Sequence, residues 1–426
     1  MMIRTRLHVT RPVAFTCLMT IALSACDTDR LLKVNAPGAL PAEQLETPDA
    51  AALLVNGAIG NFECALGAAI MVTGIIADEF ADAQLGAAQW PYDRRDANTQ
   101  PGGIYGTAGC TSAQGPGIYS PLSVARWSAD NAYRALEGFT DQQVPQRDSL
   151  MAASALYAGF SLAHLGMAMC SAAIDEGPEI TNMQLFAEAE DRFTTALGLA
   201  GQAGIPAYQH AANVGLARVR LFQGDKAGAA TAAAEVPAGF VLNASASDSE
   251  VRRYNRIYHS NVQSRQYTIE VQSRNLMTEG VLDPRAATME SGLRTADGQI
   301  GWVQQKYTSY GSPIPIARYE EAQLILAEAQ GGQAAVDIIN ALREAHDLPE
   351  YTGPTDENSI RSLIIEERRR ELFVEGFRLH DIHRFGLALE PAPGTPYPVK
   401  GGTYGTTTCL PLPDVERFNN PNIGGR

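Results

Sequence analysis

Lysine is nearly absent from this chain of 426 residues: only Lys33, Lys226, Lys306 and Lys400 occur. Acidic residues outnumber Lys and Arg by 47 to 33, for a formal charge of −14. Without a basic cluster, nucleic acid is a poor partner, and electrostatic docking on anionic lipid has no support. No CxxC occurs, so zinc-ribbon and thioredoxin-like readings lose their basis. HExxH and P-loop motifs are also missing. One near miss to a nucleophile elbow, Gly159-Phe160-Ser161-Leu162-Ala163, lies inside a helical run with no strand before it, which the motif requires. His380 and His383 are three apart, and read as surface positions of a helix rather than a metal pair. Carboxylates are plentiful, but nothing singles out two as a glycosidase pair. These absences predict no enzyme, no cofactor and no metal. No segment after residue 26 reads as apolar enough to cross a membrane.

The N-terminus carries a different signal. Arg4, Arg6 and Arg11 are followed by an apolar or small run, Val13 to Ala25. That run is shorter than the ~20 residues a bilayer needs, and the three-part pattern is that of a secretory signal peptide. It ends in Leu23-Ser24-Ala25-Cys26, which resembles the lipobox of bacterial lipoproteins. The expectation is a signal peptide at 1–25, with Cys26 the lipidated first residue of a tether at 26–48; the alternative is a plain leader with an incidental cysteine. Loss of the leader takes the charge to about −17. Four further cysteines, Cys64, Cys110, Cys170 and Cys409, suit disulfides in an exported protein. Sequence does not choose among their three pairings. Cys64 with Cys110 is the expected pair, because both flank one loop-rich stretch.

Small and apolar residues at helical spacing fill most of the remainder. Thr47-Pro48-Asp49 opens a helix expected to run to Gly60, with Pro at its first position. Residues 149–236 read as successive Ala-rich helices, broken at Gly166 and Gly224, the positions where glycine serves as a C-terminal cap. These pairs resemble tetratricopeptide units, although Gly166 and Gly224 are 58 apart and no 34-residue period holds. Residues 240–312 are polar, with possible short strands such as "QYTIEVQ". Helices return at 319–331 and 334–345. Residues 86–120 differ from everything else: Gly, Pro, Asn and aromatics with no period, as in a functional loop.

Residues 360–386 read "IRSLIIEERRRELFVEGFRLHDIHRFG". The apolar stripe of Ile360, Leu363 and Ile364 runs into Glu367, Arg368 and Glu371, so charges fall where core residues are due. Buried charges need partners, which predicts an ion-pair network between this helix and neighbouring helices. The same stretch closely resembles the C-terminal signature of the SusD/RagB family of nutrient-uptake outer-membrane lipoproteins. The matching positions are Glu367-Arg368, Glu371-Leu372, Glu375-Gly376, Arg378, Asp381 and Arg384-Phe385, with Phe385 where Trp is commoner. "QKYTSYGSPIPIARYEEAQLILAEA", "IINALREAHDLP" and "LPLPDVERFNNPNI" are similar to flanking blocks, and "TPDAAALLVNGAI", "IIADEF" and "SADNAYRALEGF" to N-terminal ones.

The resemblance implies a mainly α fold: a tetratricopeptide-like helical scaffold with a loop-rich second face, in one globular unit. It divides the chain into an N-terminal helical region, 49–240, and a C-terminal SusD/RagB region, 241–426. It implies a lipid-anchored outer-membrane protein that captures a glycan or peptide nutrient for a SusC-like TonB-dependent transporter. The alternative is a helical scaffold lipoprotein of the envelope without a nutrient ligand. The signature's charged residues read as structural. Trp90, Tyr92, Arg94, Arg95, Asn98 and Trp302 are the candidate ligand contacts, since sugars stack on aromatic faces and their hydroxyls need polar partners.

Overall fold

Alanine and glycine let helices approach closely, and the computed structural model is built on that property. It describes residues 46–97, 104–112 and 115–423. The expected leader, Cys26 and Asn98 lie outside them. From Glu46 onward the chain forms one compact unit, about 54% helical, which makes the fold mainly α.

A 3-10 turn, Pro48–Ala50, leads into helix α1, Ala51–Ile76. This helix runs well past the expected stop at Gly60. Glycine inside a helix costs about 1 kcal/mol relative to alanine, but every residue from Cys64 to Ile76 is buried, and that burial outweighs the local preference. Two four-residue helices follow, α2 (Trp90–Asp93) and α3 (Ile104–Thr107). The scaffold continues with α4 (Tyr119–Glu137), α5 (Arg147–Ala168), α6 (Asn182–Gln202), α7 (Pro206–Gln223) and α8 (Lys226–Ala234). Thr181 and Gln184 close a capping box on α6, and Gly224 ends α7 with φ 87°.

α5 is buried on all sides from Met151 to Ala168. Glycine makes this possible. A Cβ on Gly159 would lie 2.7 Å from the Phe193 ring, and one on Gly215 of α7 would lie 2.5 Å from the same ring. Phe193 therefore occupies the space two side chains would need, and its ring meets Phe160 edge-on at 4.9 Å. By length and apolarity α1 with its leading turn and α5 both qualify as membrane spans, contrary to the reading of the sequence. They are core helices, with 78% and 94% of their apolar windows buried inside the protein.

Among the described residues the strands form five antiparallel pairs. β1 (Phe80–Asp82) pairs with β5 (Tyr267–Ile269), β2 (Ser171–Ala172) with β3 (Ile180–Thr181), and β4 (Val241–Ala244) with β10 (Ile314–Arg318). β6 (Met277–Thr278) pairs with β7 (Val281–Leu282), and β8 (Thr288–Arg294) with β9 (Ile300–Gln304). Helices α9 (Tyr319–Gln330), α10 (Gly332–Glu344), α11 (Glu357–Glu371), α12 (Arg378–Phe385) and α13 (Asp414–Asn419) complete the chain. Disulfides join Cys64 to Cys110, as expected, and Cys170 to Cys409.

The signature is two helices, not one. The chain turns between α11 and α12, with Val374 at φ 50° and Gly376 at φ 87°. A Cβ on Gly376 would lie 3.1 Å from Ile70 of α1, so the turn packs directly on the N-terminal core. Its charges form the expected network, but most partners come from loops and strand ends. Glu367 pairs with Arg285 at 2.8 Å and with Arg343 of α10 at 2.7 Å. Arg318, at the end of β10, reaches Glu371 at 2.6 Å and Glu375 at 3.0 Å. Arg368 and Arg384 both hold Asp381, at 2.8 and 2.9 Å, and Arg384 also reaches Glu328 of α9. Burial alone would raise the Asp381 carboxyl; the two guanidiniums overcome it and hold the group at about 2. His380 is not a surface residue. It is buried between Phe222 and Phe186, ring centroids 4.1 and 5.5 Å away, and burial pushes its imidazole down to about 3, so it is neutral.

Candidate functional site

The segment after β1 carries four of the six expected ligand contacts. A 3-10 turn, Ala87–Gln89, feeds α2, and Arg95 then takes a left-handed conformation, φ 54°. This turn is knitted to the late loop 390–407. Gly405 N donates to the Arg94 carbonyl at 2.6 Å, and Thr407 N to the Arg95 carbonyl at 3.1 Å. A Cβ on Gly405 would meet the Arg95 carbonyl oxygen at 2.3 Å, so only glycine admits this backbone approach.

Within the turn the side chains divide. Tyr92 is 2% exposed and packs edge-on against Tyr105 at 6.4 Å. Arg95 is 1% exposed; its guanidinium lies 4.9 Å over the Tyr404 ring and donates to the carbonyls of Glu390 and Pro391. Neither presents a free face for a ligand. Trp90 is half-buried, with its indole Nε1 buried and without a hydrogen-bond partner. The half-buried Arg94 pairs with exposed Asp96 at 3.1 Å. Trp302 stands on β9, separated from this turn by β1 and β5. Its backbone N–H donates to Thr268 Oγ1 of β5 at 2.8 Å, and Arg274 lies 5.2 Å over its ring.

Beneath the turn is a buried acidic layer. Asp93 accepts from the Tyr397 hydroxyl and from Asp82 N, each at 2.7 Å. No cation pairs with it among the described residues, and burial pushes its carboxyl up to about 7. Glu79 is likewise pushed up to about 7 by burial, while accepting from Val374 N at 2.8 Å. The Lys400 ammonium lies 3.3 Å from Asp297 and donates to the Asp82 carbonyl. These groups join the early loop, the β8–β9 turn and the late loop into one face. No group of three or more metal-ligating side chains occurs among the described residues, and the GFSLA serine only donates to the Tyr157 carbonyl inside α5.

The third tryptophan was not singled out from sequence. Trp127 on α4 is 50% exposed, beside a groove of about 520 Å³ where α3, α4, the β2–β3 turn and α13 meet. Its signal was available: Val124 and Trp127, three apart, are apolar residues on the face opposite buried Ala125 and Ala129.

Residues 243–408 match the model of the SusD family. Two SusD-like proteins of Formosa agariphila are 36% identical to the chain over 89 and 124 residues, 18% and 26% of the chain. Those alignments span only 18% and 24% of the two relatives' own lengths. Among solved structures, a SusD superfamily protein from Bacteroides vulgatus superposes with TM-score 0.67 at 16% identity, covering 88% of this chain and 98% of that one. A laminarin-binding SusD-like protein superposes with TM-score 0.63 at 15% identity, covering 87% and 98%. The family match contains the whole ion-paired signature, and the fold is that of SusD superfamily structures.

Proposed function

We propose that this protein is a surface-exposed substrate-binding lipoprotein, anchored through Cys26 at the outer membrane. It captures a glycan nutrient and delivers it to a SusC-like TonB-dependent transporter. The observation that carries this reading is the match over residues 243–408, on a fold shared with a carbohydrate-binding SusD-like protein of Bacteroides vulgatus and with the laminarin-binding relative. Binding, not turnover, is the proposed activity. Trp90, Arg94 and Trp302 are the proposed contacts on the loop face, because they keep exposed surface where Tyr92 and Arg95 do not. An indole supplies a stacking face for the C–H side of a sugar, and Arg94 with Asp96 supplies donors and acceptors for its hydroxyls.

The test is calorimetry against a panel of oligosaccharides, laminarihexaose among them, and of peptides. By analogy with base–aromatic stacking, Trp90→Ala and Trp302→Ala each weaken glycan binding about tenfold. Unchanged affinity in both variants moves the site off this face. A panel that finds peptides bound and no glycan overturns the substrate class. Cys26→Ala is expected to release the protein from membranes; normal retention refutes the anchor.

A further inference from the structure

The groove beside Trp127 has walls from four parts of the chain, and three of them are covalently fixed. Gly106 and Thr107 precede Cys110, bridged to Cys64. Asp175 and Glu176 follow Cys170, and Val415 and Glu416 follow Cys409, its bridge partner. The fourth wall is α4, which carries Trp127. Both disulfides among the described residues therefore hold this groove in shape, and a pre-shaped site loses less entropy on binding.

The lining is built for polar contact around an exposed ring. Asp175 and Glu176 occupy consecutive left-handed conformations, φ 50° and 58°, which cost a non-glycine residue about 1 kcal/mol or more each. Asn420 and Asn422 hold this turn by donating to the carbonyls of Gly177 and Glu176, at 2.8 and 2.7 Å. Arg126 is fixed by Asp175 at 2.8 Å and Asp130 at 3.3 Å. Ser123 Oγ is buried at the groove wall with no hydrogen-bond partner in the protein. Strain held in place, an unused hydroxyl and a half-exposed indole are expected of a binding surface, not of a filled core.

We propose that this groove is a second glycan subsite, with Trp127 as the platform for a neutral sugar ring. The proposal rests on the glycan-binding reading above and adds a site to it. Charge selects the ligand: Asp175, Glu176 and Glu416 face one Arg126, itself already paired, so an anionic glycan is repelled. A volume of about 520 Å³ falls in the range of sites that hold compact organic ligands. Val124 and Val415, 49% and 40% exposed, extend the apolar surface along the groove. Asp175 supplies an acceptor to ring substituents, while the indole takes the C–H face.

The chain has three tryptophans, so Trp90→Phe/Trp302→Phe leaves Trp127 as the sole indole emitter. Titration of this variant with neutral hexasaccharides, laminarihexaose and maltohexaose, is expected to shift or quench its emission. Oligogalacturonate is expected to leave it unmoved. Calorimetry on otherwise wild-type protein should show Trp127→Ala weakening the groove's binding about tenfold, and Asp175→Asn weakening it less. If wild type binds a neutral hexasaccharide while Trp127 emission and the Trp127→Ala affinity stay unchanged, the groove proposal fails and the glycan-binding reading stands. If wild type binds no glycan, both fail. If Trp127→Ala leaves glycan affinity intact but loses co-purification with the transporter, the groove is a protein contact and the proposal is overturned.

Discussion

The signature region and the loop-rich face both bury carboxylates, yet they treat them in opposite ways. Around α11 and α12, each buried acid meets arginines, and Asp381 is held down at about 2. On either side of β1, Asp93 under the loop face and Glu79 against Val374 meet hydroxyl or backbone N–H donors, and burial lifts both to about 7. Residue type is the same; pairing decides the charge state. The first arrangement ties N- and C-terminal halves together, as Arg378 does through Asp78 at 2.7 Å. The second pairs neither Asp93 nor Glu79 with a cation among the described residues.

The largest effect is expected where a buried pair is broken. Arg368→Ala leaves Asp381 with Arg384 only, and losing one partner of a buried pair costs about 3–5 kcal/mol. The melting temperature should fall by about 10 °C. A variant that melts like wild type would place the signature outside the structural framework.

A smaller effect, with a defined pH window, separates the two regions. A carboxyl raised from its ordinary value of 4.5 to about 7 in the folded state contributes stability that is complete below about 4.5. That contribution is lost as pH rises to about 7. Glu79→Gln should therefore match wild type at pH 4.5 and exceed it at pH 8, by up to about 3 kcal/mol, in denaturant unfolding at the two pH values. Asp93→Asn should behave likewise. Asp381 has the opposite sign: its contribution is present above about 4 and is lost only as pH falls towards 2. Equal differences at both pH values would mean that the loop-face acids are ionised.

Smaller still is the expected cost of Trp90→Ala to stability, under ~1 kcal/mol, since the residue is half-buried. Its effect should appear in glycan affinity, so a large loss of melting temperature would assign Trp90 to packing. The smallest effect belongs to the solvent side of α11. Glu366 and Arg370 pair at 2.5 Å, but Glu366 is 48% exposed. Glu366→Gln should change stability by less than ~0.5 kcal/mol, which would separate the buried and exposed charges of one helix.

The helices were legible because alanine, glycine and aliphatic residues repeat at helical spacing, and α5 to α10 lie close to where those patterns place them. The continuation of α1 past Gly60 was not legible. Its driving force is burial against α4 and α5, contacts that local sequence does not display. The break at Val374 and Gly376 was hidden because the charged run on both sides reads as one helix, while the reason for the turn is Ile70 of a distant element. For the candidate site, the aromatic and arginine content of 90–95 was visible. That Arg95 turns inward was not, because the groups covering it, Tyr404 and the 390–391 carbonyls, lie about 300 positions later. His380 shows the same limit: its aromatic neighbours Phe186 and Phe222 come from other helices.

The Cys170–Cys409 bridge spans 239 positions and closes a ring around the whole stretch that matches the SusD family, residues 243–408. This ring changes what one proteolytic cut can do. A nick at the exposed 392–396 segment, or anywhere else between the two cysteines, severs the backbone but releases nothing. The two pieces stay joined, one species on a non-reducing gel and two on a reducing one. Damage to the loops between the two cysteines is thereby uncoupled from loss of either piece of the chain.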